Sequence, residues 1–569
     1  MNLHRNYPLY DIEPVADFRS LIETAAEKYN QKPAISYRVK PSSSEAVRKT
    51  YTEVREDVIA LGTSLIRLGG KNKKIAIIGE NSYGWALSYF ATLAIGAVNV
   101  PVDKELPVAD MAGILERAGC SVIMYGKIDA KIAEVLRLLS HTPTLIAFEE
   151  SEIEDALSIP QLIAEGHEAR EQGDNSYFET AIDAEALASI VFTSGTTGKG
   201  KGVMLSQRNL CSDISQALLS MQVSDKSLFT LPMHHTYGST INLAGHFYMG
   251  CELYISSGLK YILNEMKTEQ PKHLLLVPLY VETFHKRIWS TAERQGKAKA
   301  LRALLKVSNG MRKVHLDARR LLFSSILGQF GGKLHTIICG GAPLSRELVE
   351  TFDALGITLL NGYGITECSP LISCNRNLYQ KDGSVGMPIV GDRVKIDEPN
   401  ENGEGEICVK GPNVMMGYYN EAEATAAVFD DEGYFHTGDI GYLDEEGWIY
   451  ITGRLKNLII LSNGKNVYPE EIEMEISGVY GVEEVIVYAG ESKSAPDKEL
   501  IVAEIYPDYE ALKLRGIENT ALYFEEEIKK INARSVSYKT VHRVKLRQEA
   551  FPKNSTRKIT RFKIDKTVD

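Results

Sequence analysis

Residues 193–203, TSGTTGKGKGV, gather four glycines, two lysines, three threonines and one serine into eleven positions. Glycines let successive backbone N–H groups turn toward one point, and hydroxyls and ammonium groups add donors there. A polyphosphate needs such a cradle. The apolar run Leu187, Ala188, Ile190, Val191 and Phe192 just before it reads as a buried strand. A flexible surface turn is the plain alternative, although such turns rarely gather so many hydroxyls and lysines. Three later stretches add further chemistry. Residues 340–344, GGAPL, follow an apolar run, and their glycines admit a flat base close to the backbone. Residues 361–367, NGYGITE, offer an aromatic ring, a hydroxyl and a carboxylate close together, and 434–441, YFHTGDIG, hold an aspartate between glycines. Each stretch is weak alone; their order behind the loop is the signal.

The loop nearly fits a Walker A motif. Gly195, Gly200 and Lys201 match G-x-x-x-x-G-K, but Gly202 stands where a P-loop NTPase carries the Ser or Thr that holds magnesium. That departure argues against a P-loop kinase or ATPase. The loop instead resembles the signature of the acyl-adenylate-forming (ANL) superfamily, which includes acyl-CoA synthetases, firefly luciferase and peptide-synthetase adenylation domains. Gly200 replaces the usual Pro. With the later motifs the resemblance spans roughly residues 16–565, and it is greatest to long-chain fatty acid–CoA ligases.

That resemblance implies ATP, Mg²⁺ and coenzyme A, the last as co-substrate. It assigns Thr193, Ser194, Gly195, Thr196, Thr197, Gly198 and Lys201 to the phosphates. Tyr363, beside Gly364, would stack on adenine, flanked by Gly341, Ala342 and Pro343. Thr366 would contact the α-phosphate, Glu367 would ligate Mg²⁺, Asp439 would accept from the ribose hydroxyls, and Arg454 would donate to the ribose. His235 and Tyr237, in 231–238 (LPMHHTYG), would border the acyl pocket; a satisfied core histidine is the alternative for His235. Lys456 falls at the family's hinge, and Lys558, in 551–561 (FPKNSTRKITR), at its catalytic lysine, with Arg557 in place of a usual glycine. Ile460 occupies a position that is often basic. The implied partners are a medium- or long-chain fatty acid with CoA or an acyl carrier protein as acceptor, and a homodimer stays open. A fold kept for nucleotide binding without catalysis is a third reading.

Composition agrees with an enzyme of this size. The 569 residues are 44% hydrophobic and 24% charged, as in soluble globular proteins. A formal charge of −11 argues against a nucleic-acid binder. Seven cysteines, an odd number with no C-x-x-C pair, read as reduced thiols in a cytoplasmic protein. The opening residues lack the apolar core of a signal peptide, and no run reaches the ~18 apolar residues of a membrane span.

These residues need elements to hold them. Val54, Val58, Leu61, Leu65 and Leu68 recur at helical spacing before Gly69. Apolar runs at 74–79, 122–125 and 144–148 alternate with helical stretches, which predicts helix-covered parallel sheets. Residues 150–185 read as an acidic, irregular surface connection. The expected fold is α/β: a large N-terminal domain, 1–455, of mixed and parallel sheets with a small barrel-like part, and a small mobile α+β domain, 456–569. Within the latter, 483–489 and 499–505 read as paired strands and 519–531 as a helix. Segment 286–330 stands apart, with eleven Lys or Arg against Glu293 and Asp317. Such basic amphipathic helices suit peripheral contact with a membrane or anionic amphiphiles; a solvated helical face over a core is equally consistent.

Overall fold

A computed structural model describes residues 9–193, 200–223, 225–341, 344–461, 465–491, 500–553 and 559–568. By internal packing the chain divides into two compact units: residues 1–393 with 409–435, and residues 394–408 with 436–569. This packing boundary lies before Lys456, the position read as a pivot, which is a different property.

The first unit is built on two large sheets. One runs in the order Gly417–Tyr418, Gly202–Ser206, Leu187–Phe192, Val98–Val102, Lys74–Ile78, Val122–Tyr125, Thr144–Ala147, Leu157–Ser158. The other runs Met387–Pro388, Leu371–Cys374, Thr358–Gly364, Thr336–Gly340, His273–Leu276, Lys226–Phe229, Glu252–Ile255, Pro33–Tyr37, Val47–Thr50. Both are parallel inside, with antiparallel strands only toward their edges. Parallel strands buried on both faces demand apolar runs, and Lys74–Ile78 and Val122–Tyr125 supply them. Thr193, Leu231, Gly341 and Ile365 all follow the carboxyl ends of parallel strands, where open α/β sheets place their ligands.

Helix Tyr51–Arg67 shows how local sequence builds this frame. Thr50 caps it and Glu53 bonds back to the Thr50 N–H, while Val54, Val58, Leu61 and Leu65 are buried. Leu68 falls past its end and is exposed, before the left-handed Gly69. The expectation of an irregular 150–185 is wrong. Ile159–Glu171 is a thirteen-residue helix that buries Ile159, Leu162, Gly166 and Ala169. It packs on helix Tyr51–Arg67, where Ser64 Oγ donates to the Leu162 carbonyl at 2.6 Å and Arg170 pairs with Glu56. Its apolar positions are small and few, so the acidic residues masked their spacing.

Segment 286–330 is helical in large part, across Pro278–Arg294, Ala298–Lys313, Arg319–Leu322 and Ser324–Gln329. Ile288, Leu301, Phe323 and Leu327 turn inward and join one core cluster with Phe352 and Leu355. Arg312 and Arg319 pair with Asp353, Arg320 donates to the Leu334 and Gly332 carbonyls, and Arg302 lies over the Trp289 ring at 5.2 Å. Lys297, Lys299 and Lys306 stay exposed, as do the apolar Val307, Val314, Leu316 and Leu321.

Most of a four-stranded sheet, Arg393–Asp397, Gly405–Lys410, Phe435–Leu443, Ile449–Arg454, belongs to the second unit, although these residues were expected within the N-terminal domain 1–455. A three-stranded sheet follows, pairing Val482–Gly490 with Leu500–Pro507 antiparallel and the latter with Arg543–Leu546 parallel. Helices Pro469–Ser477 and Thr520–Asn532 cover it, burying Ile472, Ile476, Phe524 and Ile528.

Candidate active site

Strands Leu187–Phe192 and Gly202–Ser206 form an antiparallel hairpin with Phe192 opposite Gly202. The glycine-rich loop is therefore the tip of a hairpin, not the strand-to-helix turn of a P-loop. A Cβ at Gly202 would stand 3.0 Å from Ile190 Cγ2 and 3.2 Å from the Phe192 ring. Packing thus disfavours at this position the hydroxyl residue of a Walker A motif. The loop's base is tied: the Thr193 N–H donates to the Lys201 carbonyl at 3.0 Å, and Arg117 donates to the Gly200 carbonyl at 2.8 Å. Ser194, Gly195, Thr196, Thr197 and Gly198 lie outside the described residues, as do Ala342, Pro343 and Lys558.

Beside that base three separate stretches converge. Strand Gly417–Tyr418 adds to the hairpin, with Tyr418 opposite Val203, and the Lys201 ammonium lies 4.5 Å above the Tyr418 ring. The Tyr418 hydroxyl donates to Glu367 Oε1 at 3.1 Å. Glu367 sits in a single tight turn, Thr366–Cys368, beyond strand Thr358–Gly364, and its carbonyl accepts from the Met415 N–H at 2.8 Å. Gly364 allows the turn, because a Cβ there would strike the Pro370 carbonyl oxygen at 2.1 Å. Burial raises the Tyr418 phenol's pKa, and the Glu367 charge raises it further, so the hydroxyl keeps its proton and donates. Sequence reading passed over Tyr418. Its signal was weak, a tyrosine in a glycine-bearing stretch (416–419, MGYY) with no charge beside it.

Tyr363 is buried, and with Gly340, Gly341, Gly362 and Gly364 it lines one end of an apolar cavity of about 90 Å³. Leu218, Met221, Leu275, Ile338 and Leu371 supply its sides. Tyr237 also lines it and donates to the Ile338 carbonyl at 3.3 Å. Tyr237 opens a nine-residue π-helix, Tyr237–Gly245, a wide turn often found at functional sites. His235 precedes this helix, half-buried, with its ring 4.4 Å from that of His234. Asn81 fixes the approach, donating to the Leu231 carbonyl at 2.7 Å and accepting from the Met233 N–H at 2.9 Å.

Within the second unit, Asp439 and Arg454 are directly opposite on paired strands. Arg454 Nε is 2.8 Å from Asp439 Oδ1, and Asp439 is only 3% exposed. The Thr437 hydroxyl accepts from the Asp439 N–H and donates to the Ile407 carbonyl, fixing the turn. Lys456 follows in the short turn Leu455–Asn457. Its ammonium pKa is lowered, first by desolvation and then by the Arg454 charge. Around the segment that carries Lys558, Lys553 bridges to Ile559, and Arg561 ion-pairs with Glu473 and donates to the Val487 carbonyl at 3.0 Å.

Comparison with known proteins agrees with this geometry. Residues 22–419 match the AMP-binding enzyme family. A chloroplastic long-chain-fatty-acid–[acyl-carrier-protein] ligase of Arabidopsis thaliana is 29% identical, over 82% of this chain and 73% of its own. A long-chain-fatty-acid–CoA ligase of Mycobacterium tuberculosis is 28% identical, over 93% and 94%. Among solved structures, ATP-bound MatB from Rhodopseudomonas palustris superposes with a TM-score of 0.72 at 22% identity, covering 96% of this chain and 97% of its own. That likeness establishes the fold.

Proposed function

The chain belongs to the AMP-binding enzyme family as an acyl-activating, AMP-forming ligase, and from that premise we propose that it joins a medium- or long-chain fatty acid to coenzyme A. The observation that carries the reading is the convergence of Lys201, Tyr418 and Glu367 at the base of the glycine-rich loop.

A carboxylate resists a thiol, because oxide is a poor leaving group and the anion repels nucleophiles. Transfer to AMP makes a mixed anhydride and removes both obstacles. Lys201 and the loop would hold the departing pyrophosphate, and Thr366 the α-phosphate. Glu367, a hard oxygen donor aimed by Tyr418, suits Mg²⁺. A bound Mg²⁺ would supply charge neutralisation on the phosphates. Tyr363 and the glycines beside it offer adenine a flat, apolar wall next to the acyl cavity. Asp439, aligned by Arg454, would accept from the ribose hydroxyls, and Lys558 would offset the repulsion between carboxylate and phosphate. Lys456 would be the pivot between adenylation and thioester formation.

A carrier-protein phosphopantetheine is the second acceptor, favoured by the likeness to the Arabidopsis ligase. Pyrophosphate release measured over a panel of carboxylic acids, with and without CoA, tests both. Acid-dependent release with CoA-dependent turnover supports the first reading. Release with no turnover on CoA, but turnover on a carrier protein, supports the second. A panel that elicits no release rejects both.

A further inference from the structure

One buried imidazole lines the apolar cavity. His246, just after the π-helix, lines it one turn beyond Ile241. Its Nε2 lies 2.6 Å from His273 Nε2. The two rings are parallel within 3°, with centroids 4.8 Å apart, so they point at each other head-on. His246 Nδ1 is 3.3 Å from the Ile241 carbonyl. The tautomers that satisfy both contacts put a proton on His246 Nδ1 and let His246 Nε2 accept from His273. Burial keeps both rings neutral, driving His246 down to about 4 and His273 well below its usual value. His273 stands on strand His273–Leu276, two residues before Leu275 of the cavity wall. His246 is thus held at both nitrogens and cannot swing aside without stranding a buried polar group.

We propose that His246, locked by His273, is the floor of the acyl pocket and limits this enzyme to medium-chain acids. The inference deepens the ligase reading above and rests on it. The free volume of about 90 Å³ lies below the roughly 300–1,000 Å³ of drug-sized sites. In this scheme an acyl tail entering past Tyr237 runs toward the His246 ring, since both line the same cavity. His246 touches the substrate's end in this scheme; His273 is a positioning residue.

The test is acid-dependent pyrophosphate release with straight-chain acids from butanoate to palmitate, with a melting curve for each variant. His246→Ala should move the optimum to longer chains, raising kcat/KM about 10–200-fold for each methylene that no longer collides. Gly245→Ala should move it the other way. Gly245 lines the cavity in helical backbone, and a Cβ there would meet only the Thr240 carbonyl oxygen, at an ordinary 3.7 Å. Because alanine suits a helix better than glycine, this variant decides the matter if His246→Ala does not fold. His273→Leu should blur discrimination between neighbouring chain lengths, and His273→Gln, which keeps an N–H donor, should restore it. A parent active on the series whose profile a folded His246→Ala leaves unshifted, or Gly245→Ala leaves unshifted where His246→Ala does not fold, overturns the floor and leaves the ligase reading standing. A parent that releases pyrophosphate with no acid defeats that reading and this proposal with it.

Discussion

Tyr418→Phe isolates one hydroxyl at the convergence of three sequence stretches. The ring would remain beneath Lys201, 4.5 Å from its ammonium, while the 3.1 Å bond to Glu367 disappears. A hydrogen bond to a charged group is worth about 1.5–3 kcal/mol, or roughly 10–150-fold at 1.36 kcal/mol per decade. Loss of an outer partner of a metal-ligating group costs about 10–100-fold in metal affinity, the same range by an independent route. We therefore expect the Mg²⁺ concentration for half-maximal pyrophosphate release to rise about 10–100-fold. The KM for the acid should move little, since Tyr418 does not line the apolar cavity. Tyr418→Leu removes the ring as well and should add about 0.5–2 kcal/mol of lost cation–π attraction, felt in the KM for ATP through Lys201. The assay is a Mg²⁺ titration at saturating acid, repeated as an ATP titration at saturating Mg²⁺. Should Tyr418→Phe keep the parent's Mg²⁺ curve, Glu367 is not aimed by Tyr418 and its role as a metal ligand loses its structural support.

Lys558→Ala should suppress acyl-AMP formation about 10²–10³-fold yet spare thioester formation from supplied acyl-AMP; equal losses in both half-reactions would point to misfolding or a misplaced lysine. Lys456→Pro should do the reverse, slowing transfer to CoA while adenylation persists, because fixing φ restricts a pivot; normal overall turnover would move the pivot elsewhere. Reversing the exposed Lys297, Lys299, Arg302 and Lys306 to Glu should weaken binding to anionic vesicles, at about 1 kcal/mol or less per charge. Unchanged sedimentation with vesicles would make that stretch a solvated face. Burial pushes the Asp392 carboxyl up to about 8, so it is protonated on folding. Its contribution to stability is complete below the unfolded value near 4 and is lost as pH rises through about 8. Melting temperatures between about pH 5 and 9 should fall less steeply in Asp392→Asn, and identical slopes would refute the assignment and turn attention to the neighbouring Asp213, whose carboxyl burial also raises.

Motifs were legible where chemistry needs unusual residues in a short stretch. The hairpin loop, 361–367 and 434–441 all announce themselves by glycine beside a hydroxyl or carboxylate. Periodic helices such as Tyr51–Arg67 were legible for the same reason, since one face is uniformly apolar. What escaped was contact between distant segments made by ordinary residues. Tyr418 reaches Glu367 across 51 positions, and His246 reaches His273 across 27. Nothing local marks any of these four for its partner; sheet order and strand register bring them together. Helix Ile159–Glu171 escaped differently, because Gly166 and Ala169 bury a face too small to register as hydrophobic.

The hairpin beneath the glycine-rich loop bears on how nucleotide affinity should respond to ionic strength. A P-loop leads into a helix, whose N-terminus adds about half a positive charge fixed in the backbone. Here the chain leaves the loop as strand Gly202–Ser206, and strands carry little net dipole. A polyphosphate seated at the loop would rely more on side-chain cations such as Lys201, whose fields added salt screens over a Debye length of about 8–10 Å. Potassium chloride should therefore raise the apparent Kd for ATP more steeply in this protein than in a helix-led nucleotide site of equal affinity.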